Sequence, residues 1–139
     1  MSYLSGHPSP GAALSNHAEL LYRNARAEFV QDGHPSKQVF EPGPQDDKLL
    51  SLERASISSP RETFERFLNS GGKSSGVLAV SVAECDSAQV PALENALPAN
   101  LAHAVSDFRQ HGNSQTKKRA GQLRDNAVSR GWEHKAFIQ

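Results

Sequence analysis

The sequence predicts an α+β fold: a mixed sheet of about four to five strands with two main helices packed on one face. Three observations carry this expectation. Two segments combine helix caps with a 3.6-residue apolar period, several short segments alternate or run apolar as strands do, and clusters of Gly, Pro and Asp separate them. A chain of 139 residues fits a single domain and is long enough to bury a core without disulfide or metal.

Residues 1–14, rich in Ser, Gly and Pro, predict a flexible arm ahead of one domain spanning 15–139. In "SNHAELLYRNARAEFV", Asn16 with Glu19 reads as an N-cap pair, and Leu20, Leu21 and Ala25 line one helical face. Helix is the favoured reading, although "ELLYR" also suits a short strand. "FVQDGHPSKQVFEPGPQDDKLLSL" then breaks all periodicity. It has apolar anchors at Phe29, Val30, Val39 and Phe40, and turn dipeptides at Asp32-Gly33 and His34-Pro35. Lys37 to Phe40 alternate and predict a brief strand. "KLLSLERAS" predicts a clearer one, with Leu50 and Leu52 on one face and Ser51 and Glu53 on the other.

"SSPRETFERFLNSGG" carries the clearest helix signal. Ser59 caps it, Pro60 stands at its first position, Glu62 completes a capping box, and Phe64, Phe67 and Leu68 form the expected buried stripe. "GVLAVSV" (76–82) is nearly continuous in apolar residues, as a strand covered on both faces would be. "AECDSAQ" suits one helical turn, "PALENALP" a connection, and "LAHAVSDF" a strand. "NSQTKKRAGQLRDNAVSRG" predicts a second long helix capped by Asn113 or Ser114. Ala120, Leu123, Ala127 and Val128 form its inner stripe and Gly131 its stop. "WEHKAFI" closes as a strand.

Composition excludes several chemistries. Fifteen basic residues balance fifteen acidic ones, which argues against a dedicated nucleic-acid binder. Cys85 is the sole cysteine, so no intrachain disulfide and no multi-cysteine zinc site can form. The lack of a signal-peptide core or an apolar run of membrane-spanning length predicts a cytoplasmic protein with no membrane partner. No metal and no cofactor is expected. "GGKSS" (71–75) has the tail of a phosphate-binding loop, but the motif's first Gly would fall at Phe67 and the strand-to-helix order is reversed. It reads as a helix end. Cys85 lies between Glu84 and Asp86, which disfavour a thiolate, so it reads as structural.

Two sets of residues remain as candidates. If the protein is an enzyme, His34, Arg54, His103 and Asp107 are its catalytic candidates. His103 and Asp107 share a strand face, where a carboxylate could orient a general base. A satisfied structural histidine is the simpler reading of that spacing. If the protein binds a partner, His34, Lys37 and Gln38 in the anchored polar loop and Lys117, Lys118 and Arg119 on the basic helix are the contact candidates.

Four stretches, "FVQDGHPSKQVFEPGPQDDKLLSL", "GVLAVSVAEC", "AHAVSDF" and "QTKKRAGQLRDNAVSRGW", resemble a group of small bacterial single-domain proteins of no established activity. The resemblance runs from about Tyr22 to Trp132 and implies one domain and no particular chemistry. That group has a His-Pro pair after its first Arg, whereas here the place reads "RNARAEF". The expectation is therefore a non-enzymatic interaction module of bacterial origin whose partner is another protein, such as the inhibitor or immunity half of a conflict system. The alternative is a small nuclease or transferase acting on a nucleotide-type substrate. Convergence of His34, His103 and Arg54 in one pocket would favour the alternative.

Overall fold

The computed structural model describes residues 9–136. In chain order the elements are β1 (Leu20–Arg26), β2 (Val30–Gln31), β3 (His34–Pro35), a 3-10 turn (Lys37–Phe40), β4 (Leu49–Arg54), α1 (Pro60–Asn69), β5 (Ser74–Ser81), α2 (Val82–Ser87), β6 (Ala92–Glu94), β7 (His103–Asp107), α3 (Asn113–Arg130) and β8 (His134–Lys135). The fold is α+β. Six strands form one antiparallel sheet in the order β6-β7-β4-β1-β5-β8, and β2 with β3 make a separate hairpin. The expected mixed sheet is thus fully antiparallel and larger than expected.

Two crossovers build the layers. β4 and β5 both run antiparallel to β1, which lies between them, so α1 must cross over β1 to join them. α3 likewise carries the chain from β7 to β8 at the far edge. The helices lie on opposite faces, which corrects the one-face expectation. Leu21, Leu50, Leu52, Leu78 and Val80 pack with Val39, Phe40, Ala120, Leu123 and Ala127 in one core. Tyr22, Val77 and Ala79 form a smaller cluster with Phe64 of α1. A strand buried on both faces, as β5 is from Gly76 to Ser81, needs a cover on each.

β1 is a strand where a helix was the favoured reading. Leu21 and Ala25 are four residues apart, a spacing that puts them on one side of either element. Asn16 caps nothing helical: its Oδ1 accepts from the Ala18 N–H at 3.2 Å in a turn that leads into β1. Lys37–Phe40 curl into a 3-10 turn instead of a strand because the Ser36 hydroxyl accepts the Gln38 N–H at 3.3 Å. β6 emerges inside the segment expected to be a plain connection.

The arm is anchored from Gly11 onward. The Gly11 N–H donates to the Glu94 carbonyl at 2.7 Å, the Leu14 N–H to the Ala92 carbonyl at 2.9 Å, and Leu14 is buried. These bonds cover the outer edge of β6. Residues 1–8 of the expected arm lie outside the described residues, as do Phe137 and Ile138 of the expected last strand.

α1 begins as its sequence predicts, with the Ser59 hydroxyl accepting the Glu62 N–H at 3.1 Å. The reciprocal bond of the expected capping box does not form there. It forms at α2, where Ser81 and Glu84 exchange both bonds. The inner face of α1 is Thr63, with Phe64 and Phe67 half-buried and Leu68 exposed. On α3, Val128 is exposed while Ala120, Leu123 and Ala127 are buried. Leu68 and Val128 thus fall outside the buried stripes expected of their helices. α3 takes Gly112 as its N-cap instead of Asn113 or Ser114. Gly76 is required where β8 crosses close to β5: its φ is +147°, and a Cβ there would meet the His134 carbonyl at 2.2 Å.

Candidate polar cleft at the opening between β1 and β4

β1 pairs with β5 along its whole length but with β4 only at Leu21–Arg54 and Tyr22–Glu53. Beyond that register the two strands part. A continuous ladder would give the Ser51 carbonyl an amide partner from β1. Instead the Arg23 side chain fills the gap, with Nη1 donating to the Ser51 carbonyl at 3.1 Å and Nε to the Val39 carbonyl at 2.8 Å. A cleft of about 340 Å³ opens there under α1. Its lining includes Arg23, Asn24 and Arg26 from β1, Ser51 and Glu53 from β4, and Thr63, Arg66, Phe67 and Ser70 from α1. Tyr22, Leu52, Asp46, Asn100 and His103 complete it.

Much of this lining is tied into the scaffold. Glu53 Oε1 accepts from Arg66, from the Thr63 hydroxyl at 2.9 Å and from the Ser58 hydroxyl at 3.2 Å, while its Oε2 accepts from Asn100 at 2.9 Å. Asn24 Nδ2 donates to the Thr63 carbonyl at 3.1 Å and holds α1 onto β1. His103 is buried. Its Nδ1 lies 3.0 Å from the Asn95 carbonyl, which can only accept, so Nδ1 carries a proton. Nε2 pairs with the Ser51 hydroxyl at 3.1 Å.

Arg23 is electrostatically different. No carboxylate of a described residue forms an ion pair with it, and burial pushes its guanidinium down to about 10, opposed by the field of Asp46. It stays charged at neutral pH. A desolvated cation without a carboxylate partner is costly unless something else answers its charge.

The four catalytic candidates do not converge. His34 lines a separate depression with Phe29, Gln31 and Gln38. Arg54 and His103 share another with Ile57, Glu94 and Leu101. Asp107 stands at the far end of β7 from His103, about 13 Å away by strand rise, and pairs with Arg109 at 2.9 Å. The Arg109 bond overcomes burial and holds the Asp107 carboxyl below its ordinary value. Arg54 grips the buried Glu19 at 2.9 and 3.1 Å, with the Ser56 hydroxyl at 2.6 Å. Burial alone would raise Glu19, but the bonds from Arg54 and Ser56 outweigh it and keep the carboxyl below its usual range. Burial pushes the Cys85 thiol up to about 12, so it is no thiolate at neutral pH.

The partner-binding candidates adjoin one another. Asp32 and Gly33, with φ of +53° and +78°, make the two-residue turn of the β2–β3 hairpin that carries His34. The 3-10 turn carrying Lys37 and Gln38 follows and buries Val39 and Phe40 beside Ala120 and Leu123 of α3. Arg124 of α3 donates to the Pro35 carbonyl at 3.2 Å. His34, Lys37, Gln38, Lys117 and Lys118 are exposed, and Arg119 is half-buried.

Among the described residues no group of three or more His, Cys, Asp or Glu could hold a metal ion, and no helix is long and apolar enough to cross a membrane. Comparison with protein-family models, with curated proteins and with solved structures gave no match.

Arg23, Asn24, Arg66 and Asn100 are not among the residues the sequence singled out. Their one visible signal is polarity within strand and helix periods: Asn24 inside β1, and Arg66 three residues after Thr63 on α1.

Proposed function

We propose that the protein is a non-enzymatic protein-interaction module, of the kind that serves as the inhibitor or immunity half of a two-component system. The observation that carries this reading is the adjacency of the β2–β3 hairpin and the 3-10 turn to the basic helix α3. Val39 and Phe40 pin the turn against α3 from below, which leaves Lys37 and Gln38 at the surface on a fixed backbone. A fixed backbone reduces the ordering entropy lost on association. Lys37, Lys117 and Lys118 favour an acidic partner surface. The locked state of the chemical groups also supports the reading. Both ring nitrogens of His103, the carboxylate of Glu19 and that of Asp107 already serve structural hydrogen bonds.

The enzyme alternative rests on Arg54 and His103, which share one depression, but His34 and Asp107 lie elsewhere. The test is quantitative capture of the partner from the native host. A Lys117→Glu, Lys118→Glu variant should lose at least about tenfold in capture while its melting temperature stays within a few degrees of wild type. Undiminished capture by a folded variant would place the interface away from α3.

A further inference from the structure

We infer that the cleft beside Arg23 binds a small monocarboxylate with an apolar body, the carboxylate on the Arg23 guanidinium and the body against Phe67. The site lies in the opening between β1 and β4, where Arg23 reaches in from the Leu21 face and α1 supplies Phe67, and it touches the interaction surface proposed above only through the Arg23 bond to the Val39 carbonyl.

The charge argument comes first. Arg23 uses Nε and Nη1 on two backbone carbonyls, while its outer nitrogen Nη2 makes no hydrogen bond to any described residue. A guanidinium presents a planar fork that matches a carboxylate, and in a partly dehydrated cleft such a bond is stronger than in water. The other charges around the cleft set the ligand's charge. Arg66 is taken by Glu53, and Arg26 has Glu28 at 3.3 Å. Arg23 thus feels the field of Asp46, opposed by that of Arg26. A guanidinium without an ion-paired carboxylate among the described residues accommodates a single negative charge. A phosphate dianion would meet repulsion from Asp46 and Glu53.

Shape comes second. About 340 Å³ holds a molecule of roughly ten heavy atoms with room to spare, near the lower end of the usual size of ligand sites. Phe67 is half-buried and lines the cleft. The ring lies over Gly72, where a Cβ would come within 2.4 Å of it. The missing side chain at Gly72 therefore sets where the aromatic wall stands. The backbone at Gly72 lies outside the left-handed region, so alanine is tolerated there and the ring must move instead.

The experiment is a titration of the full chain with benzoate, acetate and inorganic phosphate, read by calorimetry and by the Arg23 Nε–Hε resonance in wild-type protein. Benzoate should bind saturably with a Kd on the order of 1 mM, as expected for so small a ligand. Acetate, which has the charge without the body, should bind at least about fivefold more weakly, and phosphate should not saturate. Arg23→Lys keeps the charge but loses the fork and should weaken benzoate about tenfold. Gly72→Ala displaces the Phe67 ring without touching Arg23 and should weaken benzoate several-fold while leaving acetate unchanged. The inference is overturned if the Arg23 resonance of wild-type protein does not move with benzoate. It is equally overturned if phosphate binds more tightly than benzoate, or if the folded Gly72→Ala variant binds benzoate as wild type does. The wild-type resonance decides the matter even if Arg23→Lys fails to fold.

Discussion

On the α3 side of the sheet, β1, β4 and β5 present Leu21, Leu50, Leu52, Leu78 and Val80 to Val39, Phe40, Ala120 and Leu123. On the α1 side the same three strands present Tyr22, Asn24, Ser51, Glu53, Val77 and Ala79, and only Tyr22, Val77 and Ala79 form a buried apolar cluster. Strand alternation makes this division possible: every second residue builds the scaffold, and its neighbours are free of that duty. Buried polar groups on the second side cost desolvation, which bonds at Glu53, His103 and Asn24 Nδ2 offset, while Asn24 Oδ1 and Asn100 Oδ1 accept no bond from a described residue. The sheet opens at Arg23, which shares the Leu21 face of β1 and reaches into the gap between β1 and β4.

This contrast predicts unequal costs for similar truncations. Phe40→Ala, at a fully buried site, should destabilise by about 3–5 kcal/mol. Phe67→Ala, half-buried beside the cleft, should cost about 1–2 kcal/mol. Urea denaturation of both variants checks the pair, and equal losses would erase the distinction between the two sides. Leu14→Ala comes next, at about 2–3 kcal/mol, because that side chain joins the α3-side core although it precedes the first strand. A melting temperature unchanged by Leu14→Ala would detach residues 11–14 from the core.

Acid should act gradually. Glu19, Glu84 and Asp107 all have folded-state values below their ordinary ones, 4.5 for the glutamates and 3.8 for the aspartate. For Glu84, bonds from Arg130 and Ser81 overcome the opposing effect of burial. A carboxyl depressed on folding binds fewer protons in the folded state. Its contribution is therefore complete above the ordinary value and is lost as pH falls through the lower folded value. Stability should be level near neutrality and decline below about pH 4.5. Glu19→Gln should flatten part of that decline, measured by thermal melts across pH. The smallest effect belongs to the surface: Lys37→Ala with Gln38→Ala should stay within about 0.5 kcal/mol of wild type by denaturant titration.

Local signals in the sequence placed α1, α3, β4, β5 and β7 well. Ser59-Pro60 and Gly131 mark helix ends by backbone chemistry that needs no tertiary context. β1 was hidden because a four-residue spacing serves both periods, and β6 because three residues carry no period at all. The 3-10 turn depended on one bond from Ser36, which competes locally with the extended form. Which face each helix covers was beyond local pattern, since the crossings of α1 and α3 are set by strand order. The same holds for the cleft. Arg23, Ser51, Arg66 and Asn100 meet only because β1 and β4 diverge after Tyr22 and Glu53.

Amide chemical-shift mapping of the intact chain during a benzoate titration tests most directly whether the opened side of the sheet is a site and the closed side a scaffold. The account predicts saturable shifts at Arg23, Asn24, Ser51, Glu53 and Phe67, with Phe40, Ala120 and Leu123 unmoved. Shifts confined to the hairpin and α3, or no saturable shift around Arg23, would contradict it.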